Sequence, residues 1–406
     1  MEKEMKTKSM KIDTRAVHSG DRKQDPARPG AFVAVTTPIY AASSFLYEST
    51  AQLDRVLGRE EPGYCYARYD NPTSAALEEL ITDIEGGAGS LACSSGMMAI
   101  QVALQAALLD RRKSILAANA LYGATVSMLN KIFEPFGTEV NYADICDLAA
   151  VRERIERYKP GCVLMETISN PLLRVGEIDR IAELCQTAGA ALIVDNTFAT
   201  PLLVRPLDLG ANIVVHSATK FLSGHGDVMG GLITSDAAHA EIVRSIARTV
   251  GPGLGPFESY LSMRGIKTFP LRMERQCNNA CRVAGFLAAH PRVQKVHYLA
   301  DPHHPDAAAI HRLLTAGLWG AIVTFELKDA VKEDVFRFMD RLNVVVRATS
   351  LGDVHSTVLY PAISSHRDVS PKQRERMGIH DGSVRLCIGI EAVDDILADL
   401  SQALAE

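Results

Sequence analysis

The chain has 406 residues, enough for two or three domains and a large core. Its 47% hydrophobic and 22% charged residues are the composition of a folded globular protein, and a net charge of -5 gives no electrostatic reason to expect nucleic acid or an anionic membrane as partner. No apolar run of about 18 residues occurs to span a membrane, and the N-terminal MEKEMKTKSMKIDTR lacks the apolar stretch of a secretory signal.

The first 60 or so residues are interrupted by Pro26, Pro29, Gly30, Pro38, Pro62 and Gly63, and so predict an irregular arm, either disordered or laid over a neighbouring subunit. Asn71-Pro72 predicts a helix start, with Asn as N-cap and Pro in the first turn, followed by Leu77, Leu80, Ile81 and Ile84 at helical spacing. Strand-like runs come next: SILAA (114–118), TEVNY (138–142), CVLME (162–166), ALIVD (191–195), IVVH (213–216) and GLITS (231–235). Helical patterns at 97–109, 122–136, 147–158 and 177–189 separate most of them. The alternation predicts an α/β domain with a mainly parallel sheet, whose ligands collect at the carboxyl ends of the strands. From about residue 271 the rhythm changes to a helix (271–289), strand-like RVQKVHY, GAIVTFEL, NVVVRAT and SVRLCIGI, and a last helix near 392–404, which predicts a smaller α+β domain.

The eight cysteines are scattered and form no CxxC pair, as in free thiols of a reducing cytoplasm. Cys277 and Cys281 lie four apart on a predicted helix, but two ligands alone rarely hold a metal, and none is expected.

Two charged residues stand where an α/β sheet presents ligands. Asp195 ends ALIVD, and Lys220 follows VVHSAT. A lysine at such a place can form an imine, and a carboxylate there can hold a cationic ring nitrogen. Pyridoxal phosphate needs both. Its phosphate needs anion donors, and Ser94-Ser95-Gly96-Met97 opens the helix at 97–109. Ser217 and Thr219 flank the lysine and offer further hydroxyls. A P-loop is excluded, because no GxxxxGK[ST] occurs. Tyr122, after SILAA, is placed to stack on the ring, or else is an ordinary core aromatic.

YARYDNPT (66–73), SSGM (94–97), LYG (121–123), ETISNP (166–171), DNT (195–197), HSATKFLSGHGD (216–227), RGIKT (264–268), SLGD (350–353) and RLCIGIE (385–391) occur in one order. In these motifs the chain resembles the Cys/Met-metabolism pyridoxal-phosphate family, from about residue 35 onward. That family includes cystathionine γ-synthase, cystathionine γ-lyase, cystathionine β-lyase, methionine γ-lyase and O-acetylhomoserine sulfhydrylase.

The resemblance implies an aspartate-aminotransferase-like fold of type I. Its parts would be an arm over residues 1–70 contacting a neighbouring subunit, a cofactor-binding domain over 71–270 and a C-terminal domain over 271–406. It implies a covalent link between pyridoxal phosphate and Lys220, Asp195 on the pyridine nitrogen, and Tyr122 stacked on the ring and assisting the leaving group. Phosphate ligands would be Ser94, Gly96, Met97, Ser217 and Thr219, with Tyr66 and Arg68 reaching the phosphate of a neighbouring subunit. Asn170 would lie by the phenolic oxygen of the cofactor, and Arg385, with Ser350, Thr349 and Asn170 nearby, would take the substrate carboxylate. The implied assembly is a homodimer, paired into a tetramer, in the cytoplasm.

The implied reaction is γ-elimination or γ-replacement on sulfur amino acids or activated homoserine esters, of cystathionine γ-synthase or γ-lyase type. Methionine γ-lyase and O-acetylhomoserine sulfhydrylase are the alternatives, an aminotransferase fits the motifs less well, and a catalytically silent binding protein of the same fold is a different class. Three positions depart from the family. Ala124 stands where methionine γ-lyases carry a cysteine, Thr349 stands where cystathionine enzymes often carry an acid, and His355 replaces an acid after SLGD. His355 either faces the substrate channel or is a solvated loop histidine.

Overall fold

Continuous apolar runs become parallel strands when both faces of the sheet are covered. In this computed structural model, which describes residues 10–21, 33–364, 367, 374 and 378–405, such runs build a seven-stranded sheet. Its strands are β1 (Gly89–Cys93), β2 (Ser114–Ala118), β3 (Glu139–Ala143), β4 (Cys162–Glu166), β5 (Ala191–Asp195), β6 (Ile213–Ser217) and β7 (Gly231–Ser235). They lie in the order β1-β7-β6-β5-β4-β2-β3, and only β7 runs antiparallel to its neighbours. Leu192, Ile193, Val194, Val163 and Leu164 are wholly buried, each removing a side chain worth roughly 1.5–3 kcal/mol from water. The helix Gly96–Leu108 packs over β5, β6 and β7.

A second sheet, in the order β10-β11-β12-β9-β8, is formed by β8 (Val293–His297), β9 (Ile322–Leu327), β10 (Val346–Arg347), β11 (Thr357–Leu359) and β12 (Ser383–Cys387). Its pairs are antiparallel except β10 with β11. It has its own core around Phe325, Val384 and Leu386, covered by the helices Phe269–Ala289 and Val393–Leu404.

Most runs read from the sequence form the elements expected. Three differences stand out, two of them with a visible physical cause. The arm contains the helices Ile12–His18 and Thr50–Leu57 where an irregular segment was expected. The first is held by tertiary contacts, with Ala16 buried and Arg15 forked onto Asp83 at 3.1 Å. The second has a Ser49 cap on Gln52 N. Pro26, Pro29 and Gly30 lie outside the described residues. The helix expected over 122–136 is α only over Gly123–Met128 and continues as a π turn over Leu129–Phe133.

The strand expected in NVVVRAT shrinks to Val346–Arg347, because a carboxylate takes the preceding amides. Asp399 Oδ1 accepts from Asn343 N, and Oδ2 accepts from Val344 N and Val345 N, all at 2.9 Å. These donors outweigh burial and hold the Asp399 carboxyl below its usual range.

Asp399→Asn should destabilise the protein by about 2–3 kcal/mol, read by denaturant unfolding at pH 7. A carboxyl depressed in the folded state stabilises above its unfolded pKa of about 4. The difference between parent and variant should therefore shrink as pH falls below that value. A difference that persists at lower pH would argue against the carboxylate as its source.

Candidate active site

The carboxyl edge of the larger sheet gathers residues from five strands. β4 ends at Glu166, β5 at Asp195 and β6 at Ser217, on adjacent strands. β2 leads to Tyr122 and β1 to Ser94-Ser95-Gly96. Ser217, Ala218 and Thr219 lead to Lys220.

Glu166 and Asp195 are register partners, so two carboxyls stand side by side. Burial pushes Glu166 up to about 8, and the Asp195 charge adds to the rise, against backbone N–H bonds from Tyr122 and Asn170. The Tyr122 N–H lies 2.6 Å from Glu166 Oε1. Burial also raises Asp195, but Thr197 donates to its Oδ1 from both N (3.0 Å) and Oγ1 (2.5 Å). Burial thus raises both carboxyls, and the two Thr197 bonds favour the charged form of Asp195. The Thr197 hydroxyl also accepts from Ser217 N at 2.8 Å, which ties β5 to β6.

Two basic groups, Lys220 and Arg385, lie close enough to act on one another. Lys220 Nζ donates to Ser350 Oγ at 3.0 Å. Burial, then the Arg385 charge, holds the Lys220 amine below the usual lysine range. Arg385, from β12, is 2% exposed and donates from Nη1 to Asn170 Oδ1 at 3.0 Å, while its buried Nε has no partner. Burial lowers its pKa to about 10, so it remains charged at neutral pH. The loop carrying Asn170 is pinned by Arg174, whose Nε and Nη2 donate to Asp306 at 2.7 and 2.8 Å.

An anion site lies between these groups and β1. Ser95, not Ser94, caps the helix Gly96–Leu108 by accepting from Met98 N, which leaves the N–H groups of Gly96 and Met97 without intrahelical partners. A Cβ at Gly96 would lie 2.8 Å from Ser217 Cβ, so only glycine permits this approach of the helix start to β6. Ser94 is exposed, and Thr219 Oγ1 exchanges bonds with Gly230 N (3.0 Å) and O (3.3 Å).

These features fit pyridoxal phosphate: a buried amine of lowered basicity, a carboxyl bonded by Thr197, and a glycine-permitted cradle of N–H groups without intrahelical partners. The family of Cys/Met metabolism PLP-dependent enzymes matches residues 13–405. The chain belongs to that family. It is accordingly a pyridoxal-phosphate-dependent enzyme of sulfur-amino-acid metabolism. Among its relatives, an L-methionine gamma-lyase of Fusobacterium nucleatum is 37% identical over 98% of this chain and 99% of its own. An O-succinylhomoserine sulfhydrylase of Pseudomonas aeruginosa is 36% identical over 97% of this chain and 95% of its own. The fold superposes on a cystathionine gamma-lyase from Lactobacillus plantarum complexed with L-serine, with a TM-score of 0.88 and 36% identity, covering 97% of this chain and 98% of that one.

Tyr66 and Arg68 do not join this cluster within the chain. Arg68 donates to the backbone oxygen of Arg248 and lies 4.7 Å from the Tyr69 ring centroid, while Tyr66 is half-exposed. Thr349 is exposed, and the His355 side chain is 66% exposed beside Asp353 (3.2 Å). Sequence reading gave no role to Glu166 or Thr197. The signal for Glu166 was present, since it ends CVLME just as Asp195 ends ALIVD.

Thr197→Val preserves shape but removes both hydroxyl bonds. It should weaken pyridoxal-phosphate binding by about tenfold in an equilibrium titration. Unchanged affinity would exclude Thr197 as the support of Asp195.

Proposed function

We propose that the protein acts on an L-amino acid carrying a γ-thioether or an acylated γ-hydroxyl, with Lys220 as covalent anchor and proton carrier. The observation that carries this reading is Arg385: a buried guanidinium, fixed by Asn170, with an unpaired Nε and close enough to lower the Lys220 pKa. A buried cation without an anionic partner is costly. A substrate α-carboxylate would remove that cost and bring Cα within range of Lys220.

Pyridoxal phosphate, once bound, supplies an electron sink for charge developing at the substrate's Cα. Asp195 would hold a proton at the ring nitrogen. Gly96 and Met97 N–H, with Ser94, Ser217 and Thr219, would hold the phosphate. Asn170, bonded to Arg385, would lie by the phenolic oxygen, and Ser350 orients the Lys220 amine. With its proton affinity lowered, Lys220 would accept the Cα proton and return it later. Tyr122, exposed at the sheet edge, would cover the ring and assist departure of the γ-substituent.

Elimination and replacement use the same residues and differ in whether a thiol arrives. A second reading is methionine γ-lyase or O-acetylhomoserine sulfhydrylase chemistry. Thr349, which offers no charge to the distal ammonium of cystathionine, favours it, whereas Ala124, where methionine γ-lyases carry a cysteine, counts against its methionine γ-lyase form.

The exposed apolar residues of the arm, Val35, Ile39, Tyr40 and Leu46, support its packing on a second copy, with Tyr66 and Arg68 completing the partner's phosphate site. We place the assembly, a dimer paired into a tetramer, in the cytoplasm. Eight free cysteines support that placement, and among the described residues no helix is long and apolar enough to cross a membrane.

The holoenzyme, incubated with O-succinylhomoserine, O-acetylhomoserine, cystathionine or methionine, should yield a 2-oxo acid without thiol, a thioether with cysteine, or homocysteine with sulfide. A colourless protein that takes up no pyridoxal phosphate would defeat this reading. Transfer of the amino group to an added keto acid would replace it with an aminotransferase. Arg68→Ala should loosen the cofactor by about tenfold or more; parental retention would contradict the cross-subunit contact.

A further inference from the structure

We infer that Arg272 is a positioning residue for Lys220, acting from the helix that covers the second sheet on the turn that carries the lysine. This inference rests on the assignment of Lys220 as cofactor anchor. Arg272 sits in the first turn of the helix Phe269–Ala289 and is 6% exposed. Its Nη1 donates to Phe221 O at 2.8 Å. Its Nη2 donates to Leu222 O at 2.9 Å and to Gly265 O at 2.8 Å, and Nε donates to Thr268 Oγ1 at 3.2 Å. All four acceptors are neutral oxygens, and among the described residues no carboxylate forms an ion pair with it. Burial lowers its pKa to about 10, with the Asp353 charge opposing.

A guanidinium is an expensive group to bury for packing alone. Its planar fork does what an ammonium or an apolar side chain cannot: it satisfies two successive carbonyls just after Lys220 and joins them to the end of the preceding helix. The turn is shaped around it. Gly224 has φ +69°, and a Cβ there would lie 1.8 Å from Arg272 Nη1. Gly224 N in turn donates to Lys220 O at 2.8 Å. On the other side, a Cβ at Gly352 would lie 2.4 Å from Phe221 N and 3.1 Å from Lys220 Cα. The lysine backbone is therefore clamped between Arg272 and the Ser350–Gly352 loop. The clamp fixes where Nζ starts from, and its reach to Ser350 and its distance from Arg385 follow. The charged and titratable groups acting on Lys220 are Arg385 and Cys387, both from β12.

The test compares the parent holoenzyme with Arg272→Lys, Arg272→Met and a control, Arg15→Met. The control removes another buried, forked arginine, paired with Asp83. Three quantities are read: the rate at which hydroxylamine strips the cofactor, the pH midpoint of the visible absorption band, and the melting temperature. Both Arg272 variants should lose cofactor to hydroxylamine about tenfold faster. Their pH midpoints should move upward, because a loosened Nζ leaves the field of Arg385 and meets more water. Arg15→Met should melt earlier with parental rate and midpoint. If Arg272→Met does not fold, Arg272→Lys, which keeps the charge but loses the fork, decides alone. Parental stripping rate and midpoint in Arg272→Lys would overturn the inference. Borohydride trapping in the parent separates this failure from the larger one: if no cofactor is fixed to Lys220 there, the functional reading itself fails.

Discussion

Two basic groups and two carboxyls are held close to the carboxyl edge of the larger sheet without pairing with each other. Among the described residues, no ion pair joins Lys220 or Arg385 to Glu166 or Asp195. Each is satisfied by neutral partners instead: Ser350 for Lys220, Asn170 for Arg385, the Tyr122 amide for Glu166 and Thr197 for Asp195. Such preorganised groups of both signs are the complement of a ligand that carries a cationic ring and anionic groups. If the charges collapsed onto each other, the site would lose both its affinity for the cofactor and its reactive amine.

The fold maintains that separation by distributing the charges over two sheets. The carboxyls belong to adjacent strand ends of the larger sheet, where the backbone ladder fixes their spacing. Arg385 is on the second sheet, whose own core and antiparallel pairing fix it independently. Lys220 lies between them, on a turn that belongs to the first sheet by sequence and is gripped by a helix of the second. Small bridging groups, a threonine hydroxyl and a serine hydroxyl, then set the distances.

Much of this was legible in the sequence. CVLME and ALIVD are strands buried up to their terminal carboxyls, and GLITS is buried throughout, because a run apolar on both faces has no other stable place. Asp195 and Lys220 were legible because a charge that ends such a run contrasts with everything before it. Less legible was whatever depended on distant chain. NVVVRAT reads as a strand, and only Asp399, some fifty residues later, diverts its amides. GSLAC forms β1 although its small residues carry little strand signal, because Gly89 and Cys93 pair across to β7. Arg272 is one of many arginines in sequence, and only the folded backbone shows that its fork meets two carbonyls.

The distribution of the site along the chain has a consequence for biosynthesis. By the end of β7 the ribosome has delivered Gly96, Tyr122, Glu166, Asp195, Ser217 and Lys220. Arg272 and the Ser350–Gly352 loop, which grip the Lys220 turn, and Arg385 on β12 all emerge later. The strand ends of the first sheet are thus made before any group that fixes the lysine between the two sheets, so the cluster can take its final shape only after the second sheet has been synthesised.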